Sequence, residues 1–116
     1  MMRKLRSHQI GLDQGSEPMF SDFDTDGPMW AGDGPREVRR RVTFDTPFKD
    51  PPAVLTALAM VDLAAGANHR VDLSHDAVDA QGFDLVFRTW GDTRVARVRA
   101  DWSAIGAMPD DDDWDL

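Results

Sequence analysis

The sequence feature that most limits the fold is an alternation of apolar and polar residues with a period of two, which begins at Val38. Phe83, Leu85 and Phe87, for example, share one side of their segment, because successive side chains of a strand point to opposite faces. Gly, Pro and Asp separate the segments, and no stretch has convincing helical spacing. The sequence therefore predicts an all-β domain, a small six-stranded antiparallel β-sandwich.

Two tryptophans fall on different faces of the predicted strands. Trp90 ends the segment "FDLVFRTW" on the face opposite the phenylalanines, at the lip of a tight turn. In the next segment, Trp102 continues a row that includes Val98 and Ala100. We therefore expect Trp102 in the core and Trp90 outside it.

The segment 53–63, "AVLTALAMVDL", is apolar on both of its predicted faces. One face holds Val54, Leu58 and Met60, and the other holds Leu55, Ala57, Ala59 and Val61. In a small antiparallel domain one sheet face normally meets water, so a second apolar face predicts contact between subunits. We expect the domain to assemble with copies of itself.

The 116 residues suffice for one domain, within which three regions differ in composition. Residues 1–32 are predicted to hold an N-terminal strand, around "RKLRSHQI" at 3–10, and a long acidic loop of the same domain. Residues 33–106 carry the alternating segments. Residues 107–116 include "DDDDWDL", and because consecutive aspartates repel one another we expect a disordered acidic tail.

Charge and composition exclude several classes of partner. The formal net charge is −8, and since five aspartates lie in the last seven residues, the remaining chain carries −3. This sign does not favour a phosphate backbone, so we expect no nucleic acid partner. Without cysteine the chain has no disulfides and no thiolate metal sites.

The sequence also gives expectations about where in the cell the protein is found. No apolar run is long enough to span a membrane, and the basic start "MMRKLR" lacks the apolar segment of a signal peptide. We therefore expect no membrane insertion and a soluble protein synthesised in the cytoplasm. Release or an extracellular role by a signal-independent route stays open.

The aspartates of "DFDTDGPMWAGD", residues 22–33, have the spacing of a calcium-binding loop. Asp22, Asp24 and Asp26 match its first three ligand positions, but Asp33 replaces the longer glutamate of the twelfth position, and neither flank looks helical. An ordinary acidic surface loop is the favoured interpretation. Calcium is the alternative, and we expect no other cofactor.

Hydrolytic catalysis needs a nucleophile beside an oriented base, or paired carboxyl groups with different pKa values. His8, His69 and His75 are scattered along the chain, and no G-x-S-x-G motif is present. We therefore expect a protein that is not an enzyme and has no catalytic residues.

Four short stretches occur in an order and spacing typical of one family: "VTFDTPFKDPPAVLTALAMVDL", "NHRVDL", "GFDLVFRTWGDT" and "DWSAIG". Together they resemble the H-type lectin domain, the family of snail agglutinin and of the C-terminal domain of discoidins, over residues 33–106. The resemblance implies a six-stranded β-sandwich that forms homotrimers. It also implies lectin activity: glycans with terminal galactose or N-acetylgalactosamine would bind at the seams between subunits, in multivalent adhesion or glycan recognition.

The resemblance assigns sugar contacts to five residues. The family's sugar-binding aspartate corresponds to Asp33 in "AGDGPRE", and its arginine corresponds to Arg70 in "NHRV". A carboxylate accepts hydrogen bonds from adjacent sugar hydroxyls, while a guanidinium donates to hydroxyl oxygens. Ala31 and Gly91 correspond to positions that present backbone to the sugar, and Trp90 to the tryptophan beside the site.

Two positions depart from the pattern of the animal members. Gly91 stands where they have a larger side chain, often histidine, and Ala96 where they have an aromatic residue, so contacts near an N-acetyl group would be reduced. Two alternatives follow. One is a structural or adhesin trimer, such as a phage-like or surface fibre module, that has lost sugar binding; the other is a calcium-stabilised interaction domain.

Overall fold

The computed structural model describes residues 1–110, which contain six strands in two antiparallel three-stranded sheets, as the alternation predicts. The strands are β1 (Ile10–Ser21), β2 (Arg36–Thr43), β3 (Ala53–Leu63), β4 (Val71–Asp76), β5 (Gly82–Thr89) and β6 (Val95–Ala107). One sheet has the order β1-β6-β3 and the other β2-β5-β4. A short 3₁₀ turn (Asp22–Thr25) and a four-residue helix, α1 (Pro28–Ala31), join β1 to β2.

The core lies between the two sheets and contains the rows that alternation predicts. Phe83, Leu85 and Phe87 of β5 are fully buried. Trp102 of β6 is also in the core, where its ring centroid lies 5.4 Å from that of Phe83. β5 and β6 thus bury the apolar rows that their sequence pattern assigns to them.

The location predicted for the N-terminal strand is wrong: β1 begins at Ile10 and occupies part of the segment that was expected to be loop. Its inward-facing positions include Gly11, Asp13 and Gly15, so the strand lacks an alternating apolar row. Gly15 lies opposite Trp102, and a Cβ at Gly15 would lie 2.9 Å from the indole Nε1. The indole of Trp102 occupies the space that a side chain at this position would need.

The predicted bounds of β3 are correct, but its two faces are partly misassigned. Leu58 lies opposite Ala100 and Val61 lies opposite Val98, with the register shifting between Leu58 and Met60. The extra residue, Ala59, forms a bulge that reverses the alternation. Val61 therefore packs against the core, whereas the sequence placed it on the other face, with Leu55.

The outer faces of the two sheets differ in chemistry. The β1-β6-β3 sheet exposes Ile10, Leu12, Leu55 and Ile105, which together we call the apolar outer face. The β2-β5-β4 sheet instead carries ion pairs, among them Arg88 with Glu37 at 2.9 Å.

The described helices are all too short to cross a membrane. Most of the predicted acidic tail, residues 111–116, lies outside the described residues.

Candidate functional site

Three chain segments meet at one end of the sandwich. They are the loop 31–34, which begins at the last residue of α1, the segment 68–70 before β4, and the turn 90–93 after β5. The Gly34 N–H donates to the Gly91 carbonyl at 2.9 Å, and the Arg70 N–H donates to Thr93 Oγ1 at 3.0 Å. These bonds bring the predicted sugar-contact residues into one region of the molecule.

Arg36, at the start of β2, joins the first of these segments to the third. Its guanidinium donates to the carbonyls of Gly34 at 2.9 Å and Gly91 at 3.1 Å. It also donates to the last turn of α1, at the Met29 carbonyl. Sequence reasoning missed Arg36, because its position in the alternation is that of an ordinary polar residue on a strand.

Two buried threonines hold the segment 68–70, which belongs to no strand. Thr89 Oγ1 donates to the Arg70 carbonyl, and Thr93 Oγ1 donates to the Asn68 carbonyl. Arg70 precedes β4 and is positioned by these side chains. The only sequence signal for this role is a pair of threonines flanking Trp90 to Asp92.

The guanidinium of Arg70 lies over Gly91 and beside Asp92. Arg70 Nη1 is 3.0 Å from Asp92 Oδ1, and a Cβ at Gly91 would approach the same Nη1 to 3.0 Å. Hydrogen bonding from Asn68, with the charge of Arg70 contributing, lowers the pKa of the Asp92 carboxyl. Gly91 has a φ of 67°, a left-handed conformation that glycine adopts without strain. Asp92, which sequence reasoning also missed, thus orients the predicted sugar-binding arginine.

Asp33 lies in the exposed loop that the Gly34–Gly91 hydrogen bond attaches to the turn. Among residues 1–110 no side chain or N–H group donates a hydrogen bond to its carboxylate, and it forms no ion pair with Arg70. Its acceptor oxygens therefore face solvent, available to hydroxyl donors. The two predicted key residues are brought near each other through Gly34 and Gly91 rather than by direct contact.

The other two predicted contacts border this region. Trp90 is 44% exposed and forms a wall of an open groove together with Pro35. Ala31 is the exposed last residue of α1, two positions before Asp33. The prediction that Trp90 points away from the core agrees with this placement.

The three aspartates of the calcium hypothesis lie at or after the 3₁₀ turn. Asp22 Oδ2 accepts the Met29 N–H at 2.9 Å, and Asp24 accepts the Ser21 hydroxyl; both carboxylates thus bond within the loop itself. In the described part of the chain, no three His, Cys, Asp or Glu side chains are grouped to hold a metal ion. Calcium binding through Asp22, Asp24 and Asp26 stays a prediction, which melting curves with and without calcium test.

Comparison with known proteins finds similarity over most of the chain. Residues 39–105 match the model of the H-type lectin domain. A protein of Fuscovulum blasticum described as "ATP synthase subunits region ORF 7" is 52% identical over 107 residues, covering 92% of this chain and 93% of that protein. A discoidin-1 polypeptide of Dictyostelium discoideum is 34% identical over 74 residues, 63% of this chain and 29% of the discoidin.

Solved structures of discoidin II from Dictyostelium discoideum share the fold. They superpose with TM-scores of 0.74 and 0.75 at 24% sequence identity. The match covers 86% and 87% of this chain but 38% of each discoidin II chain. This chain thus corresponds to a minor part of the discoidins it resembles.

Proposed function

The chain belongs to the H-type lectin domain family, and on that premise we propose that it binds glycans ending in galactose or N-acetylgalactosamine. The proposed contacts are Asp33, Arg70, Gly91, Trp90 and Ala31. One observation carries the proposal: the Asp33 carboxylate has open acceptors in a loop tied to the turn on which the Arg70 guanidinium rests. We propose no catalytic role for this site.

The chemistry of these groups suits a sugar diol. Asp33 accepts hydrogen bonds from two adjacent hydroxyls, and both bonds are charge-assisted. Arg70 has five N–H donors, of which the bond to Asp92 uses one, so others remain for hydroxyl oxygens. Since Gly91 has no side chain, a sugar can approach the guanidinium and the backbone of the turn closely.

We further propose that the protein is a homotrimer joined through the apolar outer face. Leu12 is 66% exposed, Leu55 62% and Ile105 39%, which leaves a contiguous apolar surface in water. Burying a leucine or isoleucine side chain completely is worth about 1.5–3 kcal/mol. Because a shallow single-sugar site commonly has a Kd near ~1 mM, several sites on one molecule would supply useful attachment.

Light scattering tests the assembly. Wild-type protein and Leu5→Arg, which changes an exposed leucine outside the apolar outer face, should both have three times the mass of the chain. Leu55→Arg should be a monomer, because it introduces a charge into the interface. A wild-type monomer at micromolar concentration would contradict the assembly.

Isothermal titration with galactose and N-acetylgalactosamine tests the site. Asp33→Asn and Arg70→Ala should each abolish detectable binding, because a charge-assisted hydrogen bond is worth about 1.5–3 kcal/mol and the whole interaction about 4 kcal/mol. Asp50→Asn and Arg6→Ala are controls at exposed positions elsewhere and should bind like wild type. A trimer that binds neither sugar would favour the structural or adhesin alternative.

A further inference from the structure

We propose that the groove beside Trp90 is a second sugar subsite, which takes a neutral hexopyranose residue linked to the sugar at Asp33 and Arg70. The inference rests on the proposed function and extends it from a single sugar to an oligosaccharide. The groove has a volume of about 260 Å³ and is open to solvent. It is lined by Pro35, Arg36, Glu37, Arg88, Thr89 and Trp90, and we call it the Trp90 groove.

The Trp90 groove is continuous with the proposed primary site. Pro35 follows Gly34 and Trp90 precedes Gly91, and the 2.9 Å hydrogen bond between those two glycines joins the lips of the groove. Two residue steps separate Asp33 from Pro35, so their Cα atoms lie at most about 7 Å apart. A sugar linked to one bound at Asp33 is therefore within reach of the groove.

Trp90 differs from the other tryptophans in the described part of the chain. Trp30 packs edge-on against Phe23 and lies under the guanidinium of Arg94, and Trp102 packs in the core. Trp90 has no aromatic or cation–π partner among residues 1–110, and its ring borders the groove. The C–H face of a pyranose is apolar and packs against such an indole, with the exposed ring of Pro35 as a second apolar surface.

Polar groups beside these apolar surfaces suit sugar hydroxyls. Glu37 offers carboxylate acceptors, and Arg88 offers guanidinium donors, from neighbouring positions on β2 and β5. The two side chains are joined by an ion pair of 2.9 Å, which holds both in place before a ligand arrives. A few placed polar groups around an apolar wall are typical of small-molecule recognition sites.

The charges of the groove select a neutral sugar residue. Arg88 is paired with Glu37 and lies 4.0 Å from Asp72, while the guanidinium of Arg36 donates to backbone carbonyls. The donors of Arg36 are thus bonded to backbone carbonyls, and the charge of Arg88 is offset by two carboxylates, while some of its N–H groups remain for neutral hydroxyls. The carboxylate of a uronic acid would meet Glu37 without an uncommitted cation to offset its charge.

The test compares disaccharides with galactose on the intact protein. Titrations use galactose, a panel of galactosyl-glucose disaccharides that differ in linkage, and galactosyl-glucuronic acid. For wild type we expect at least one neutral disaccharide to bind about tenfold more tightly than galactose. The acidic disaccharide should bind no more tightly than galactose.

Variants test whether the gain in disaccharide affinity depends on the Trp90 groove. In Trp90→Leu and Arg88→Ala the ratio of disaccharide to galactose affinity should fall to near one; only Trp90→Leu, which also changes a proposed primary contact, should weaken the binding of galactose itself. Arg40→Ala, a control on β2 outside the groove, should keep the wild-type ratio. Circular dichroism checks that each variant is folded.

The outcomes separate the two proposals. Galactose binding with equal affinity for every disaccharide overturns the subsite and leaves the primary site intact. A wild-type gain that persists in both Trp90→Leu and Arg88→Ala also overturns it, as does a larger gain for the acidic disaccharide. A protein that binds no sugar overturns both proposals together.

Discussion

Replacing Gly91 with alanine separates the cost of backbone strain from the displacement of Arg70. Gly91 has a φ of 67°, and an L-residue in the left-handed region costs roughly 1–2 kcal/mol. The new Cβ would lie 3.0 Å from Arg70 Nη1 and 3.5 Å from its Cζ. Because Nη1 is the end of a flexible side chain, the guanidinium can yield by a few tenths of an ångström, which moves its remaining donors away from the proposed sugar.

Two measurements should therefore change in Gly91→Ala. The free energy of unfolding, measured by urea denaturation, should fall by roughly 1–2 kcal/mol, and Tm by about 4–8 °C per kcal/mol in a domain of this size. Galactose affinity, measured by isothermal titration, should fall at least about tenfold, because a charged hydrogen bond is worth about 1.5–3 kcal/mol.

Gly66→Ala is the matched control. Gly66 has a φ of 82°, and an added Cβ there meets no atom within 4 Å. This variant should lose similar stability and bind galactose like wild type. If Gly91→Ala binds galactose as well as Gly66→Ala does, then Arg70 does not act from its observed position and the reasoning is refuted.

Three further predictions concern the fold that supports the site. Thr93→Val leaves the Asn68 carbonyl and the Arg70 N–H without their buried partner, so urea denaturation should show a loss of about 1–3 kcal/mol; the exposed control Thr43→Val should change little, and equal effects would contradict the role of Thr93. Deleting Ala59 removes the extra residue and leaves Leu58 opposite Ala100 and Val61 opposite Val98 in regular alternation, so a cooperative thermal transition should remain in circular dichroism; loss of that transition would refute the bulge. Hydrogen bonds from Arg39, from the Gln81 N–H and from Asn68 lower the pKa values of Glu37, Asp79 and Asp92 respectively. A carboxyl group whose pKa is lower in the folded than in the unfolded protein stabilises the fold above the unfolded pKa of about 4, and this stabilisation is lost as the pH falls through the folded pKa. Tm should therefore be steady from about pH 7 to 5 and fall below about pH 4. A Tm unchanged in acid would contradict this.

The elements that could be predicted from sequence are those whose burial follows a local pattern. The rows of β5 and β6 alternate regularly, so Phe83 and Trp102 were assigned to the core correctly. β1 could not be found in this way, because the space over Gly15 is filled by Trp102, which lies far along the chain. The bulge at Ala59 gave no signal either, since it lies among residues that are apolar on both faces.

The residues of the candidate site show the same difference between those that a local sequence pattern identifies and those that it does not. Asp33 and Arg70 were identified from a resemblance to short motifs, which depends on residue type and spacing alone. Arg36, Asp92 and Thr93 were missed because their roles depend on bonds between segments that are distant in sequence. Such bonds become visible only when the fold brings the loop 31–34 to the turn 90–93.

The central claim is that galactose-type sugars bind where these two loops meet. The most direct measurement is a galactose titration of ¹⁵N-labelled protein followed by two-dimensional NMR, which reports every backbone N–H and each tryptophan indole. The account predicts that the largest shifts occur at Gly34, Gly91 and the Trp90 indole, and that they vanish in Asp33→Asn. The absence of shifts at saturating galactose, or shifts confined to the apolar outer face, would contradict it.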